Sequence, residues 1–202
     1  MHRVREATDM ETVRRAAFAF GRWNRRRKAR FALEVAVRLQ AESALLVGVS
    51  GDRNPVNNLI EHELARELPW VVASGISPNT YGWEPFVVAD GRRLPFADQT
   101  FDLVYANAVI EHVGTEADQQ RFVDEVARVG RSWVVTTPNR WFPIEAHYHT
   151  FFRHWKPGWS QGTVTRLLGI RDFRRLLPCG LVRGVPVVSP TLTAVGSGFV
   201  RD

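Results

Sequence analysis

The chain has 202 residues, of which 45 % are apolar and 24 % charged, and its net charge is +6. That length suits one domain with a substantial core, and the apolar content excludes disorder as the overall state. No stretch approaches the ~18–20 consecutive apolar residues of a membrane span, and a single cysteine, Cys179, excludes an intrachain disulfide.

Met1 to Arg15 carries charges of both signs and no apolar core segment, so no secretory signal is expected. A reducing cytoplasm is the expected compartment. Glu11 to Gln40 reads as one or two helices, with a break near Gly21. Much of the positive excess lies here, in Arg22-Trp23-Asn24-Arg25-Arg26-Arg27-Lys28-Ala29-Arg30. Such a run can be an anion or nucleic-acid patch, or a solvated helix face. No zinc-finger, RNP or basic-zipper pattern accompanies it, so the solvated face is adopted and no nucleic-acid partner is expected.

Ser43 to Val49 is a short apolar run ending in a small-residue turn, a buried strand by length and composition. Asn54-Pro55 has the chemistry of a helix start, and Val56, Leu59, Ile60 and Leu64 follow at helical spacing. Further strands are predicted at Trp70 to Ala73, Phe86 to Ala89 and Phe101 to Ala106. Thr115 begins a helix whose inward face holds Phe122, Val123, Val126 and Val129, with Gly130 as its stop. Ser132 to Thr137 is a fifth strand, halted by Pro138. Strand and helix alternating in this way imply βαβ crossovers and a parallel sheet. Asn139 to Gln161 is aromatic and rich in Pro and His, and reads as a long loop. Arg171 to Leu177 is a short helix, and Leu181 to Val188 with Thr191 to Val200 form a closing hairpin.

The turn Gly48-Val49-Ser50-Gly51 lets backbone approach a polar ligand closely, and a helix beyond it adds exposed N–H groups. A turn of this kind alone is weak evidence. More specific is the ordered set that follows it: Val71 to Asn79, then Val87-Val88-Ala89-Asp90-Gly91-Arg92-Arg93-Leu94-Pro95-Phe96, then Thr100 to Val104, Val109-Ile110-Glu111-His112-Val113, and Val134 to Asn139. In that order and spacing the chain resembles the class I S-adenosylmethionine-dependent methyltransferases, in particular their small-molecule branch, over about Ala44 to Asn139.

The resemblance implies a Rossmann-like α/β fold. Its seven-stranded sheet would have five parallel strands and a C-terminal hairpin, with helices on both faces. Residues 1–40 would form an N-terminal helical cap or lid, and residues 41–202 the methyltransferase-fold domain. It implies S-adenosylmethionine as cofactor, bound along the carboxyl ends of the first strands, where open α/β sheets bind ligands in general. Gly48, Val49, Ser50 and Gly51 would lie beside its methionine portion. Gly75 would stand at the ribose, with Ile76 beside it as a further cofactor contact. Asp90 would accept from the adenine amino group with Gly91 beside it, and Asn107 and Ala108 would flank the cofactor.

The chain departs from the family at three places, one of them the short glycine turn, with Ser50 and Asp52 where glycines are common. Leu46 stands where an acidic residue is usual in the first strand. Gly75 stands where a carboxylate normally binds both ribose hydroxyls, a loss worth ~1–3 kcal/mol. Asp52, Ser77 and Asn79 are the candidate replacements.

On the acceptor side, Asn139 to His149 follows the fifth strand directly. Arg140, Trp141 and Glu145 are candidate substrate contacts. His147 and His149 have near-neutral intrinsic pKa values and are candidate general bases, with Glu145 able to orient one of them. Glu145, His147, His149 and His154 could instead ligate a metal, or the histidines could be ordinary loop residues; no metal is assigned. His112 is read as structural, holding its loop. Trp141, Phe142, Phe151, Phe152, Trp155 and Trp159 are either loop packing or an apolar substrate pocket.

Two functions are carried forward. One is methyl transfer to O or N of a small organic acceptor. The other is a degenerate member of the fold with non-methylating catalysis or a binding or scaffold role.

Overall fold

The computed structural model describes residues 2–49, 58–77, 82–147, 150–177 and 180–197, and side chains from residue 19 onward except residue 20. The helix start expected at Asn54-Pro55 lies outside the described residues, as do Ser50, Gly51, Asp52, Asn79 and His149.

Seven strands form one sheet: β1 (Ser43–Val47), β2 (Trp70–Gly75), β3 (Phe86–Val88), β4 (Phe101–Asn107), β5 (Gly130–Pro138), β6 (Leu181–Arg183) and β7 (Thr191–Ser197). Their order is β3-β2-β1-β4-β5-β7-β6. β1 to β5 are mutually parallel, and β7 runs antiparallel to both β5 and β6. The chain reverses its direction of travel across the sheet between β1 and β4. That switch point opens a crevice at the carboxyl ends of the strands.

The period of two along β1 divides the core. Leu45 and Val47 pack on one face with Phe122, Val123 and Val126 of α3 (Glu116–Val129) and Phe173 and Leu176 of α4 (Ile170–Leu176). Ala44 and Leu46 pack on the other face with Ile60 and Leu64 of α2 (Leu59–Glu67) and with α1 (His2–Arg38). Helices therefore cover both faces, as expected.

α1 corrects one expectation: it is a single helix with no break at Gly21. A lone glycine costs only about 1 kcal/mol in a helix. No proline accompanies it, and Ala29, Ala32 and Ala36 anchor the following turns against the sheet. Asn24 donates to Thr191 Oγ1 at 3.1 Å, and Lys28 to Asn107 Oδ1 at 2.7 Å. These contacts set the 24–28 segment of α1 level with the carboxyl edge.

Gly130 ends α3 for a reason other than the one expected. Its backbone is extended, φ −101°, and β5 starts at that residue. A Cβ there would stand 2.6 Å from Val104 Cγ2, so glycine is required by close strand packing. The strand predicted at Leu181 to Val188 stops at Arg183, because Gly184 turns the chain at φ +138° and Pro186 follows. α3 begins after Thr115 with a capping box: Thr115 Oγ1 accepts from the Asp118 N–H, and Asp118 accepts from the Thr115 N–H.

Candidate active site

The carboxyl edge gathers the loops after β1, β2, β4 and β5. Gly48 leaves β1 at φ +73°, and a Cβ on it would meet Val109 Cγ2 at 2.5 Å. The turn after β1 is thus pressed against the loop after β4, which joins two of the expected cofactor segments. Ala108, in that loop, holds a left-handed conformation at φ 55° and donates its N–H to Thr136 O at 2.9 Å. A non-glycine residue in that region stores backbone strain of ~1 kcal/mol.

On the β2–β3 side, Ile76 follows β2 and is 79 % exposed, the most exposed large apolar side chain among the described residues. Asp90 follows β3. Arg92 holds its carboxylate through Nη2 at 2.6 Å and Nε at 3.0 Å, and the Arg92 N–H donates to it at 2.9 Å. The Arg92 hydrogen bonds hold the Asp90 carboxyl below its usual range. Gly91 is buried for packing: a Cβ would stand 2.7 Å from the Phe122 ring.

An exposed apolar side chain and a carboxylate at neighbouring strand ends suit the two sides of an adenine, although Arg92 competes for Asp90. Gly75 offers the ribose no acceptor, and a Cβ on it would lie 3.1 Å from Val49 O and 3.3 Å from the Phe86 ring. The adenine end fits; the ribose end lacks its carboxylate.

Asn107, at the end of β4, is enclosed. Its Oδ1 accepts from Lys28 Nζ at 2.7 Å and Thr136 Oγ1 at 2.9 Å, and its Nδ2 donates to Glu61 Oε1 at 3.3 Å. Burial pulls the Lys28 amine down to about 8 and pushes the Glu61 carboxyl up.

The β4–β5 side is the more polar. Glu145 is buried, and its Oε1 lies 2.8 Å from His147 Nδ1 while its Oε2 accepts the His147 N–H at 2.9 Å. Two residues apart in sequence, the pair is closed by the turn that backbone Glu145 N–H to Thr150 O stabilises. Burial alone would lower the His147 pKa, but the Glu145 bond and the nearby Glu111 carboxylate raise it. Glu145, a candidate substrate contact and a candidate partner for a histidine, is buried beside His147.

Glu111 is fully buried in the 3₁₀ turn Ile110–His112. Its Oε2 accepts from Thr137 Oγ1 at 3.1 Å. Its Oε1 has no hydrogen-bond partner and lies 3.9 Å from His112 Nε2 and 3.7 Å from His147 Nε2. Burial pushes its carboxyl up. His112 Nδ1 lies 2.9 Å from Thr163 O, which ties the loop down as the sequence reading held. Glu111 was missed in that reading; its sequence signal is an acidic residue beside a histidine at a strand's carboxyl end.

Beside this group is an open cleft of about 560 Å³, lined among others by Thr115, Arg140, His154, Trp159, Thr165 and Arg166. Thr165 Oγ1 donates to Glu111 O at 3.0 Å, so the cleft wall and the Glu111 turn are one structure. The Arg140 guanidinium lies 5.3 Å over the Trp141 ring, and its buried Nε has no hydrogen-bond partner. His154 is buried and bonds Phe142 O at 2.8 Å; its ring supports the aromatic loop.

Residues 63–133 match a protein family described as "Methyltransferase domain". No curated protein sequence matches the chain. Among solved structures, the N-methyltransferase NodS of Bradyrhizobium japonicum, in complex with S-adenosyl-L-homocysteine, is 12 % identical. The match covers 86 % of each chain with a TM-score of 0.55. The methyltransferase domain of bacterial CtHen1-CN is 14 % identical over 84 % of this chain and 97 % of its own, with a TM-score of 0.57. A Haloferax volcanii putative methyltransferase, solved with the activator Trm112, is 14 % identical over 78 % of this chain and 82 % of its own, with a TM-score of 0.54. In fold the chain is similar to these methyltransferases, and in sequence its residues 63–133 match the methyltransferase-domain family.

Proposed function

We propose that the protein transfers the methyl group of S-adenosylmethionine to an oxygen or nitrogen of a small organic acceptor. The observation that carries this reading is the Glu145–His147 pair, 2.8 Å apart and set directly beyond β5 at the carboxyl edge. A base oriented by a buried carboxylate suits a hydroxyl or amine nucleophile that must lose a proton.

The bound cofactor supplies an electrophilic methyl group. Ile76 and Asp90 would hold its adenine, with Gly48, Val49 and Ala108 along its other end. The roles of Ser50, Gly51, Gly75, Gly91 and Asn107 remain those of backbone or flanking contact. Much of the acceleration in such a transfer is alignment of nucleophile, methyl carbon and sulfur. The acceptor would enter the cleft beside Arg140 and Trp141. A guanidinium with an unbonded buried Nε suits an acceptor carrying a carboxylate or phosphate. His147 would accept the nucleophile's proton at Nε2, with His149 as the other candidate base. The N-terminal helix would act as a cap on the domain, and the protein as a cytoplasmic enzyme with no nucleic-acid partner.

The test is formation of S-adenosylhomocysteine from S-adenosylmethionine with a panel of small hydroxyl and amine acceptors, with and without a carboxylate. Acceptor-dependent product that falls in His147→Gln supports the reading. Cofactor binding without acceptor-dependent product favours the second reading, a non-methylating member of the fold. Gly75 and the Arg92–Asp90 ion pair are the observations behind that alternative.

A further inference from the structure

We infer that Glu111, His112 and His147 form a binding site for a divalent transition metal of the zinc type. The donors Glu111 Oε1, His112 Nε2 and His147 Nε2 all lie within 4.8 Å of one another. They come from two separate segments: the turn after β4 supplies Glu111 and His112, and the loop after β5 supplies His147.

Each donor is already aimed by a second partner. A carbonyl only accepts, so His112 Nδ1 carries the proton it gives to Thr163 O at 2.9 Å. His147 likewise gives its Nδ1 proton to Glu145 at 2.8 Å. In the neutral rings both Nε2 lone pairs then face Glu111 Oε1. Thr137 Oγ1 fixes the other Glu111 oxygen at 3.1 Å. Histidine Nδ1–H bonded to a carboxylate or a carbonyl is the usual outer shell of a metal-bound imidazole.

The unpartnered atom points the same way. Glu111 Oε1 is buried and accepts no hydrogen bond. Leaving a buried carboxylate oxygen unsatisfied costs free energy unless a positive charge answers it. A protonated histidine paired with it directly would approach to ~2.7–2.9 Å. The observed separations are 3.9 and 3.7 Å, too long for that bond. Two ligands on a tetrahedral ion with bonds of ~2.1 Å stand ~3.4 Å apart, so the two carboxylate–imidazole edges close by a few tenths of an ångström and the imidazole–imidazole edge by at most ~1.4 Å to seat the ion. Two imidazoles and one carboxylate favour zinc, cobalt or iron over magnesium or calcium. Three protein donors leave a position open, as in catalytic sites.

The site coincides with the proposed acceptor site and rests on that reading only for its role: a cation there would hold and acidify the acceptor in place of direct proton transfer to His147. Binding itself is independent of methyl transfer. In sequence the metal candidates are Glu145, His147, His149 and His154; Glu111 lies 36 positions from His147, and the pairing of β4 with β5 brings the two together.

The experiment is titration of the chelator-treated full chain with Co²⁺, followed by visible absorption, and with Zn²⁺, followed by calorimetry. Wild type is expected to take up a single equivalent of Co²⁺ with tetrahedral d–d bands, and Mg²⁺ should not compete. Glu111→Gln should weaken binding by at least ~100-fold, and the positioning change Glu145→Gln by ~10–100-fold. His112→Ala serves as the ligand variant if Glu111→Gln does not fold. Absence of stoichiometric Co²⁺ and Zn²⁺ binding by wild type, or equal binding by the folded ligand variants, would overturn the inference. S-adenosylhomocysteine titrated in parallel separates the two claims. Metal binding without cofactor binding supports the inference and removes the methyltransferase reading; cofactor binding without metal binding removes the inference alone.

Discussion

The two halves of the carboxyl edge are built in opposite ways. Around β1 to β3 the edge is held by backbone and apolar contacts: Gly48 against Val109, Gly75 against Phe86, Ile76 open to solvent. Among the described residues of this half, the Asp90 carboxylate is surface-lying and shared with Arg92. Around β4 and β5 the edge is polar and buried, with Glu111, Glu145, Thr137 and Asn139 all nearly inaccessible. A cofactor that carries its own reactive group needs shape and a few contacts. An acceptor that must be oriented and deprotonated needs fixed polar atoms, and burial against polar neighbours fixes them. In the proposed reading, cofactor binding falls to the first half and chemistry to the second.

If the halves are independent in this way, His147→Gln should lower turnover by ~10²–10⁴-fold and leave S-adenosylhomocysteine affinity within about twofold. Steady-state kinetics with a calorimetric titration checks both. A parallel loss of cofactor affinity would show that the halves are one unit.

Lys28 ties α1, through Asn107 and Glu61, to the seam between the halves. Its folded pKa of about 8 lies below the 10.5 of the unfolded chain. Between those values the unfolded chain binds more protons, so stability should rise as pH increases from about 8 to 10.5. The gain has an upper bound of ~3 kcal/mol and is reduced by the side chain's partial exposure to solvent. Denaturant melts across that window should show the rise in wild type and a flatter profile in Lys28→Met.

Smaller effects are expected in the first half. Asp90→Ala should weaken S-adenosylhomocysteine binding by ~1 kcal/mol, the low end for a lost polar partner, because Arg92 already occupies the carboxylate. Arg92→Ala should tighten it several-fold by releasing Asp90. Opposite signs in the two titrations would confirm adenine recognition; unchanged affinity in both would remove Asp90 from the site. Gly75→Asp has the smallest predicted gain. The backbone is not left-handed there, so aspartate is allowed, yet its Cβ must displace Val49 O or the Phe86 ring from 3.1 and 3.3 Å. A few-fold gain in affinity with a lower melting temperature is the expected outcome.

The strands were legible because each is a short apolar run ended by Gly, Pro or a polar turn, and a parallel sheet buries both faces. The hairpin was legible in outline, its strand ends less so, since Gly184 and Pro186 stop β6 early. The α1 continuity was not, because one glycine in a helix marks a break only when packing does not carry the helix past it. At the site, Glu145 and His147 could be paired from their spacing of two. Glu111 could not be joined to His147, nor Lys28 to Asn107, because the strand order and a helix crossing the sheet create those contacts.

The central claim, that this carboxyl edge is a cofactor site despite Gly75, is tested most directly by calorimetric titration of the wild-type chain with S-adenosylhomocysteine. Saturable binding of one equivalent with Kd below ~1 mM, weakened in Asp90→Ala, is the predicted result. No saturable heat at millimolar ligand, from a chain shown to be folded by its thermal melt, would contradict it.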